Sequence, residues 1–138
     1  MVTIRSDPDT LAQYETDESG IFRAHGLDAV YQPETESEVA ELLAAATRDR
    51  RLVTISGAGT GITGGRVAIH GGVVLATDHL TIPAKRDLPR LDADIYGRLC
   101  AVYLDDKALL AHVPAGISLD TLAALLPAHL IYPPDPTE

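Results

Sequence analysis

The chain reads SGAGTGITGGR from Ser56 to Arg66, and this stretch holds five of its eleven glycines. Glycine leaves the backbone bare and permits positive φ, so successive amide N–H groups can turn toward one point and bind phosphate oxygens. The hydroxyl groups of Ser56, Thr60 and Thr63 are further potential donors. The stretch therefore favours a phosphate- or pyrophosphate-binding loop. The alternative is a tight glycine turn that joins two strands without a ligand.

Two known nucleotide-binding loops do not fit the residues that follow. Gly59, Gly61 and Gly64 satisfy the spacing G-x-G-x-x-G, but a dinucleotide-binding turn of that kind must open a helix. Residues 66–77 instead contain a second glycine pair and a β-branched run. A Walker loop needs Lys and then Ser or Thr, and Gly65-Arg66 supplies neither. We therefore expect the loop to join strand to strand.

The residues before the loop predict a strand, a helix and a second strand. Residues 29–32 form a short apolar segment that ends at a proline, as a brief strand does. Thr35 and Glu38 form a capping box for a helix over residues 36–50, whose apolar residues recur at helical spacing. Residues 52–55 form a mainly β-branched run that follows at once, which indicates a parallel strand–helix–strand unit.

The remaining segments show weaker patterns. Residues 6–13 are typical of a short helical turn, and residues 73–76 of a strand. Residues 79–98 are charged and contain two prolines, so they predict a surface excursion. Further predictions are a hairpin of residues 99–104 and 108–113, and a helix over residues 118–126.

Length and composition predict one domain. The chain has 138 residues, of which 46% are hydrophobic and 4% aromatic, and no linker interrupts it. A core of small aliphatic residues suits helices and short strands better than a β-sandwich. The prediction is an α+β fold over residues 1–138, with a small, mainly parallel sheet flanked by helices 36–50 and 118–126.

Charge and cysteine content exclude several classes of function. A net charge of −9 opposes nucleic-acid binding, because the chain repels polyanions at long range. The single cysteine, Cys100, cannot form an internal disulfide, which favours a reducing, cytoplasmic location.

No run approaches the ~20 apolar residues of a membrane span. The histidines are scattered and no nucleophile motif is present, so we predict neither a metal site nor a catalytic residue.

The order of the motifs resembles the FAD-binding domain of FAD-linked oxidoreductases of the vanillyl-alcohol oxidase and p-cresol methylhydroxylase type, most closely the glycolate oxidase and D-lactate dehydrogenase branch. The resemblance peaks at the glycine loop and covers nearly the whole chain. The segments that carry it are Tyr14 with Asp17-Glu18-Ser19, Ala29-Val30 with Pro33 and Thr35–Val39, Gly57–Gly65, Val113–Ile117 with Leu122, and Pro133–Thr137.

The resemblance implies FAD as cofactor and a 2-hydroxy acid, such as glycolate or D-lactate, as substrate of the full-length enzyme. It also implies that backbone amides of the loop hold the pyrophosphate, that Gly64 and Gly65 support the loop, and that Pro134 and Asp135 lie near the flavin. The cofactor-binding residues expected are Ser56, Gly57, Ala58, Gly59, Thr60, Gly61, Gly64, Gly65, Pro134 and Asp135.

Members of this family continue past the proline-rich segment into a second part of the FAD domain and a substrate domain. The chain is therefore expected to be the N-terminal portion of such a domain, completed by the remainder of a flavoprotein or by a partner subunit. The alternative is a non-enzymatic module that binds FAD or another anion with a partner chain.

Overall fold

A computed structural model describes residues 2–133. The chain divides into two compact units, the first ending at His79 and the second beginning at Leu80, although the sequence indicated no boundary there. The elements of the first unit are β1 (Thr3–Arg5), α1 (Pro8–Ala12), β2 (Leu27–Gln32), α2 (Glu36–Arg48), β3 (Val53–Ser56) and β4 (Gly72–Ala76). Those of the second are β5 (Arg90–Ile95), β6 (Arg98–Asp105), β7 (Leu110–His112) and α3 (Leu119–Leu125).

The first unit contains a four-stranded mixed sheet. Its order is β1-β2-β4-β3, in which β1 is antiparallel to β2 and the other two pairings are parallel. The predicted α+β class is confirmed in this form. β2 and β3 flank α2 in sequence as predicted, but β4 lies between them in the sheet.

The helix α2 begins as its capping box predicts. The hydroxyl of Thr35 accepts a hydrogen bond from the Glu38 amide at 3.2 Å, and the Glu38 carboxylate accepts one from the Glu34 amide at 2.8 Å. The first bond satisfies a helix amide that has no partner within the helix, and the second fixes the residue before the N-cap. The helix ends at Arg48, two residues before the predicted end.

The core of the first unit lies between the sheet and the chain around it. Val30 and Val74, on the neighbouring strands β2 and β4, are fully buried. They cluster with Val67 and Ala68, which belong to the connection between β3 and β4. The end of this connection is thus fixed by apolar packing, at about 25 cal/mol per Å² of buried apolar surface.

The second unit contains an antiparallel three-stranded sheet of order β5-β6-β7. The predicted hairpin is confirmed by the pairing of β6 with β7. The prediction of an excursion over residues 79–98 is wrong for β5, whose half-buried Leu91, Ala93 and Ile95 alternate with exposed residues. α3 lies against β5, whereas the sequence placed this helix beside the parallel sheet. An amphipathic pattern identifies the buried face of a helix but not the sheet that covers it.

The turn between β5 and β6 allows a test of what limits the stability of the second unit. Ile95 pairs with Arg98, so Tyr96 and Gly97 form a two-residue turn in which both φ angles are positive, 53° and 80°. Tyr96 is fully exposed and gains nothing from packing there. Asparagine adopts this conformation more readily. We expect Tyr96→Asn to raise the free energy of unfolding by about 1 kcal/mol in urea denaturation, and Tyr96→Val to lower it.

Candidate functional site

The glycine loop connects two parallel strands that are neighbours in the sheet. It leaves β3 after Ser56 and returns to β4 at Gly72, and no helix lies between them. This confirms that the loop joins strand to strand. A ligand at this loop therefore meets backbone amides without the dipole of a following helix.

The outer part of the loop has open backbone faces. A Cβ atom added to Gly57 or Gly61 would meet no atom within 4 Å, and both residues are exposed. Within residues 2–133, no protein acceptor pairs with the amide N–H groups of residues 57–63. Ala58, Thr60 and Thr63 are exposed as well. The loop thus presents several unpaired donors, the chemistry that a phosphate group requires.

Ser56 is placed differently from the other predicted residues. Its side chain is fully buried, and its hydroxyl donates to the Gly57 carbonyl oxygen at 3.1 Å. Its own carbonyl oxygen accepts from the Thr77 amide at 3.0 Å. The Ser56 hydroxyl therefore fixes the start of the loop, and the exposed hydroxyls of Thr60 and Thr63 are the ones open to a ligand.

The far end of the loop is anchored at Gly64. Its amide donates to Oδ2 of Asp17 at 2.6 Å, and its carbonyl oxygen accepts from the Val67 amide at 3.0 Å. Gly64 has φ of +78°, and a Cβ there would lie 2.6 Å from the Phe22 ring. Glycine is required here for both reasons. Gly65, the neighbouring predicted residue, is exposed.

The Asp17 carboxylate is the centre of this anchor. Its Oδ1 accepts from the Ser19 hydroxyl at 2.6 Å and from the Ser19 amide at 3.1 Å. The adjacent Glu18 amide donates to the Gly61 carbonyl oxygen at 3.2 Å. The hydrogen bonds from Ser19 and then Gly64 hold the pKa of Asp17 below its usual range, against the opposing effect of burial. Residues 17 and 18 thus hold both ends of the segment 61–64.

Arg66 provides a second support for the loop, at Gly59. Gly59 has φ of +88°, and a Cβ added to it would collide with Nη1 of Arg66. The Arg66 guanidinium donates from Nη2 to the Gln13 carbonyl oxygen at 3.0 Å, and its Cζ lies 4.9 Å from the centroid of the Tyr14 ring. Its Nε is buried and has no partner among residues 2–133. Arg66 is thus held directly against the loop.

The sequence also named candidates outside the loop. Pro134 and Asp135 lie outside the described residues. Cys100 is buried in β6, and burial raises the pKa of its thiol. In the described part of the chain, no group of three or more His, Cys, Asp or Glu side chains could hold a metal ion. Among the described helices, none reaches the length and hydropathy that a membrane span requires.

Sequence reasoning missed the residues that support the loop. Tyr14, Asp17 and Phe22 lie in a stretch without periodicity, and their contacts span more than forty residues of sequence. The only signal was the presence of Tyr14 and Asp17 among the residues that carried the family resemblance. Arg66 is the last residue of the glycine-rich stretch Ser56–Arg66, but nothing in the sequence indicated its contact with Gly59.

Comparisons with known proteins identify relatives of the segment that contains the loop. Residues 27–85, which include the whole loop and the strands on both sides, match a family described as an FAD binding domain. Over 110 residues, or 80% of its length, the chain is 28% identical to the glycolate oxidase subunit GlcD of Bacillus subtilis strain 168. It spans 20% of the length of that relative. The family match indicates FAD as the cofactor, which confirms the prediction.

Proposed function

We propose that the chain is the FAD-binding portion of a flavin-dependent oxidoreductase, because residues 27–85 match an FAD binding domain. That this domain is of the p-cresol methylhydroxylase type rests on the resemblance of the motifs. The site residues proposed are Gly57, Ala58, Gly59, Thr60 and Gly61, whose amides receive the FAD pyrophosphate. Ser56, Gly64 and Gly65 shape the loop. Pro134 and Asp135 are proposed to lie near the flavin on the family resemblance alone.

One observation carries this proposal. The outer amides of the loop have no protein acceptor within residues 2–133, and the open faces of Gly57 and Gly61 leave room for an anion to approach the backbone. Ordering a loop of this composition is costly, because glycines lose much conformational entropy and gain little packing at the open positions Gly57 and Gly61. A pyrophosphate bound by several amides offsets that cost.

The proposed reaction is oxidation of a 2-hydroxy acid such as glycolate or D-lactate. It rests on the similarity to a glycolate oxidase subunit at 28% identity. Bound FAD supplies the acceptor for the hydride of the substrate, and the chain binds and orients the cofactor. We assign no catalytic residue to this chain.

The site is proposed to be completed by further polypeptide, either the remainder of the flavoprotein or a partner subunit. The similar protein is itself described as a subunit, and the chain spans 20% of its length. A cytoplasmic location is part of the proposal and rests on the single cysteine.

A ligand titration tests the proposal. The purified chain is titrated with FAD, ADP-ribose and FMN, and binding is followed by flavin fluorescence or calorimetry. We expect saturable binding of FAD and ADP-ribose and none of FMN, because FAD and ADP-ribose share the pyrophosphate. Failure to bind either by a chain that circular dichroism shows to be folded would contradict the proposal that the loop of this chain binds the pyrophosphate without the polypeptide that completes the flavin site.

A further inference from the structure

The arginines of the first unit differ in how their charge is balanced. Arg5 pairs with Asp7 at 3.0 Å, Arg23 with Glu15 at 2.7 Å and Arg48 with Asp49 at 3.0 Å. Arg50, Arg51 and Arg66 pair with no carboxylate of residues 2–133. Arg66 differs from all the other arginines of this unit in being partly buried, and its Nε is buried without a partner among the described residues.

The contacts of Arg66 fix its position but leave its charge unneutralised. The Gln13 carbonyl and the Tyr14 ring are both neutral groups at neutral pH, and burial raises the pKa of the Tyr14 phenol further. A partly buried cation without a counter-ion is unfavourable, since desolvation is not repaid by an opposite charge. An anion bound at the loop would provide the missing partner.

The guanidinium of Arg66 lies at the part of the loop where such an anion would bind. Nη1 lies directly against the backbone of Gly59, in the middle of the loop whose neighbouring amides are unpaired. Guanidinium groups bind phosphate oxygens with two parallel N–H groups and remain charged at any relevant pH. Backbone amides provide only partial charges, so an arginine here would strengthen the interaction with a phosphate group.

We propose that Arg66 is the cation of the pyrophosphate site, where it neutralises the phosphates that the loop amides bind. This inference rests on the proposed function and adds a specificity-determining residue to it. The other possibility is a purely structural role, in which Arg66 only supports Gly59 from beneath.

The two roles differ in their dependence on salt. The test measures dissociation constants for ADP-ribose at low and high NaCl, with the wild-type chain, Arg66→Gln, Arg66→Lys and Arg48→Gln. Arg48→Gln is the matched control, because it removes the same charge from an exposed site. Arg48 is at the end of α2, before β3, whereas the loop begins after β3. Circular dichroism verifies that each variant is folded.

We expect Arg66→Gln to weaken ADP-ribose binding by about 10- to 100-fold at low salt, as removal of a charged hydrogen bond does. Its affinity should depend less on salt than that of the wild type, since screening acts on the charge that was removed. Arg66→Lys should retain more affinity than Arg66→Gln, and Arg48→Gln should bind like the wild type. If Arg66→Gln fails to fold, Arg66→Lys and the salt dependence of the wild type decide.

Three results would overturn the inference. They are wild-type affinity in Arg66→Gln, a loss of affinity that is equal at all salt concentrations, or a wild-type affinity that salt does not weaken. Failure of the wild-type chain to bind ADP-ribose at all would overturn the proposed function together with this inference. The outcomes therefore separate the role of Arg66 from the role of the loop.

Discussion

Substitution of Gly61 by valine is expected to abolish FAD binding while leaving the chain folded. Gly61 is exposed, lacks a positive φ, and has open space where a Cβ would stand. A branched side chain can therefore be accepted by the free protein, but it would occupy the space through which, in the proposed function, a phosphate approaches the amides. Loss of several charged hydrogen bonds at 1.5–3 kcal/mol each corresponds to an affinity reduction of roughly 100-fold or more.

The choice of glycine determines what this experiment reports. Gly59→Val is the less informative variant, because its side chain would collide with Arg66 and φ is +88°, so reduced binding could follow from a distorted loop. Ala84→Val, at an exposed site outside the loop, serves as the control. Flavin fluorescence gives the affinity, and circular dichroism verifies the fold. A folded Gly61→Val chain with wild-type affinity for FAD would show that the amides of this loop do not hold the cofactor.

The local elements were predictable because their signals are local. The helix α2 follows from a capping box and an apolar face within sixteen residues, and the strands β2 and β4 follow from short apolar runs. The glycine loop was recognisable for the same reason, since the property that matters, bare backbone, is written directly in the residue type. These features need no knowledge of what packs against them.

The features that were missed depend on distant parts of the chain. The place of β4 between β2 and β3 is a matter of sheet order, which periodicity does not encode. The strand β5 was hidden because its outward residues Asp92 and Asp94 gave the segment the charge of a loop, although its inward residues alternate correctly. Contacts between distant segments therefore determine that residues 90–95 form a strand and that β4 lies between β2 and β3.

The supports of the loop belong to the same class. Asp17 and Gly64 are joined by a hydrogen bond across 47 positions, and Arg66 reaches Gln13 across 53. An isolated aspartate in an irregular stretch has many possible partners, so sequence alone could not assign its role. The loop was therefore predicted as a motif, whereas the residues that hold it in shape became visible only in the structure.

Replacement of Asp17 should loosen the loop and weaken FAD binding even though Asp17 is not part of the loop. In Asp17→Ala, the Gly64 amide and both donors of Ser19 lose their acceptor, while Asp17→Asn keeps one acceptor oxygen in place of two, for either Gly64 or Ser19. We expect FAD affinity to fall by about tenfold in Asp17→Asn and further in Asp17→Ala, in proportion to the lost hydrogen bonds. The matched control is Glu18→Gln, which removes the adjacent exposed carboxylate and keeps the backbone bond to Gly61.

The stability of these variants should depend on pH in a defined direction. The pKa of Asp17 is lowered in the folded protein, so its carboxylate stabilises the fold above the unfolded-state pKa of about 3.9. That contribution is lost as the pH falls through the lowered native value. The difference in melting temperature between wild type and Asp17→Asn should therefore be full at pH 6 and shrink below pH 4. A difference that stays constant across this range would show that the charge of Asp17 does not hold Gly64 in place.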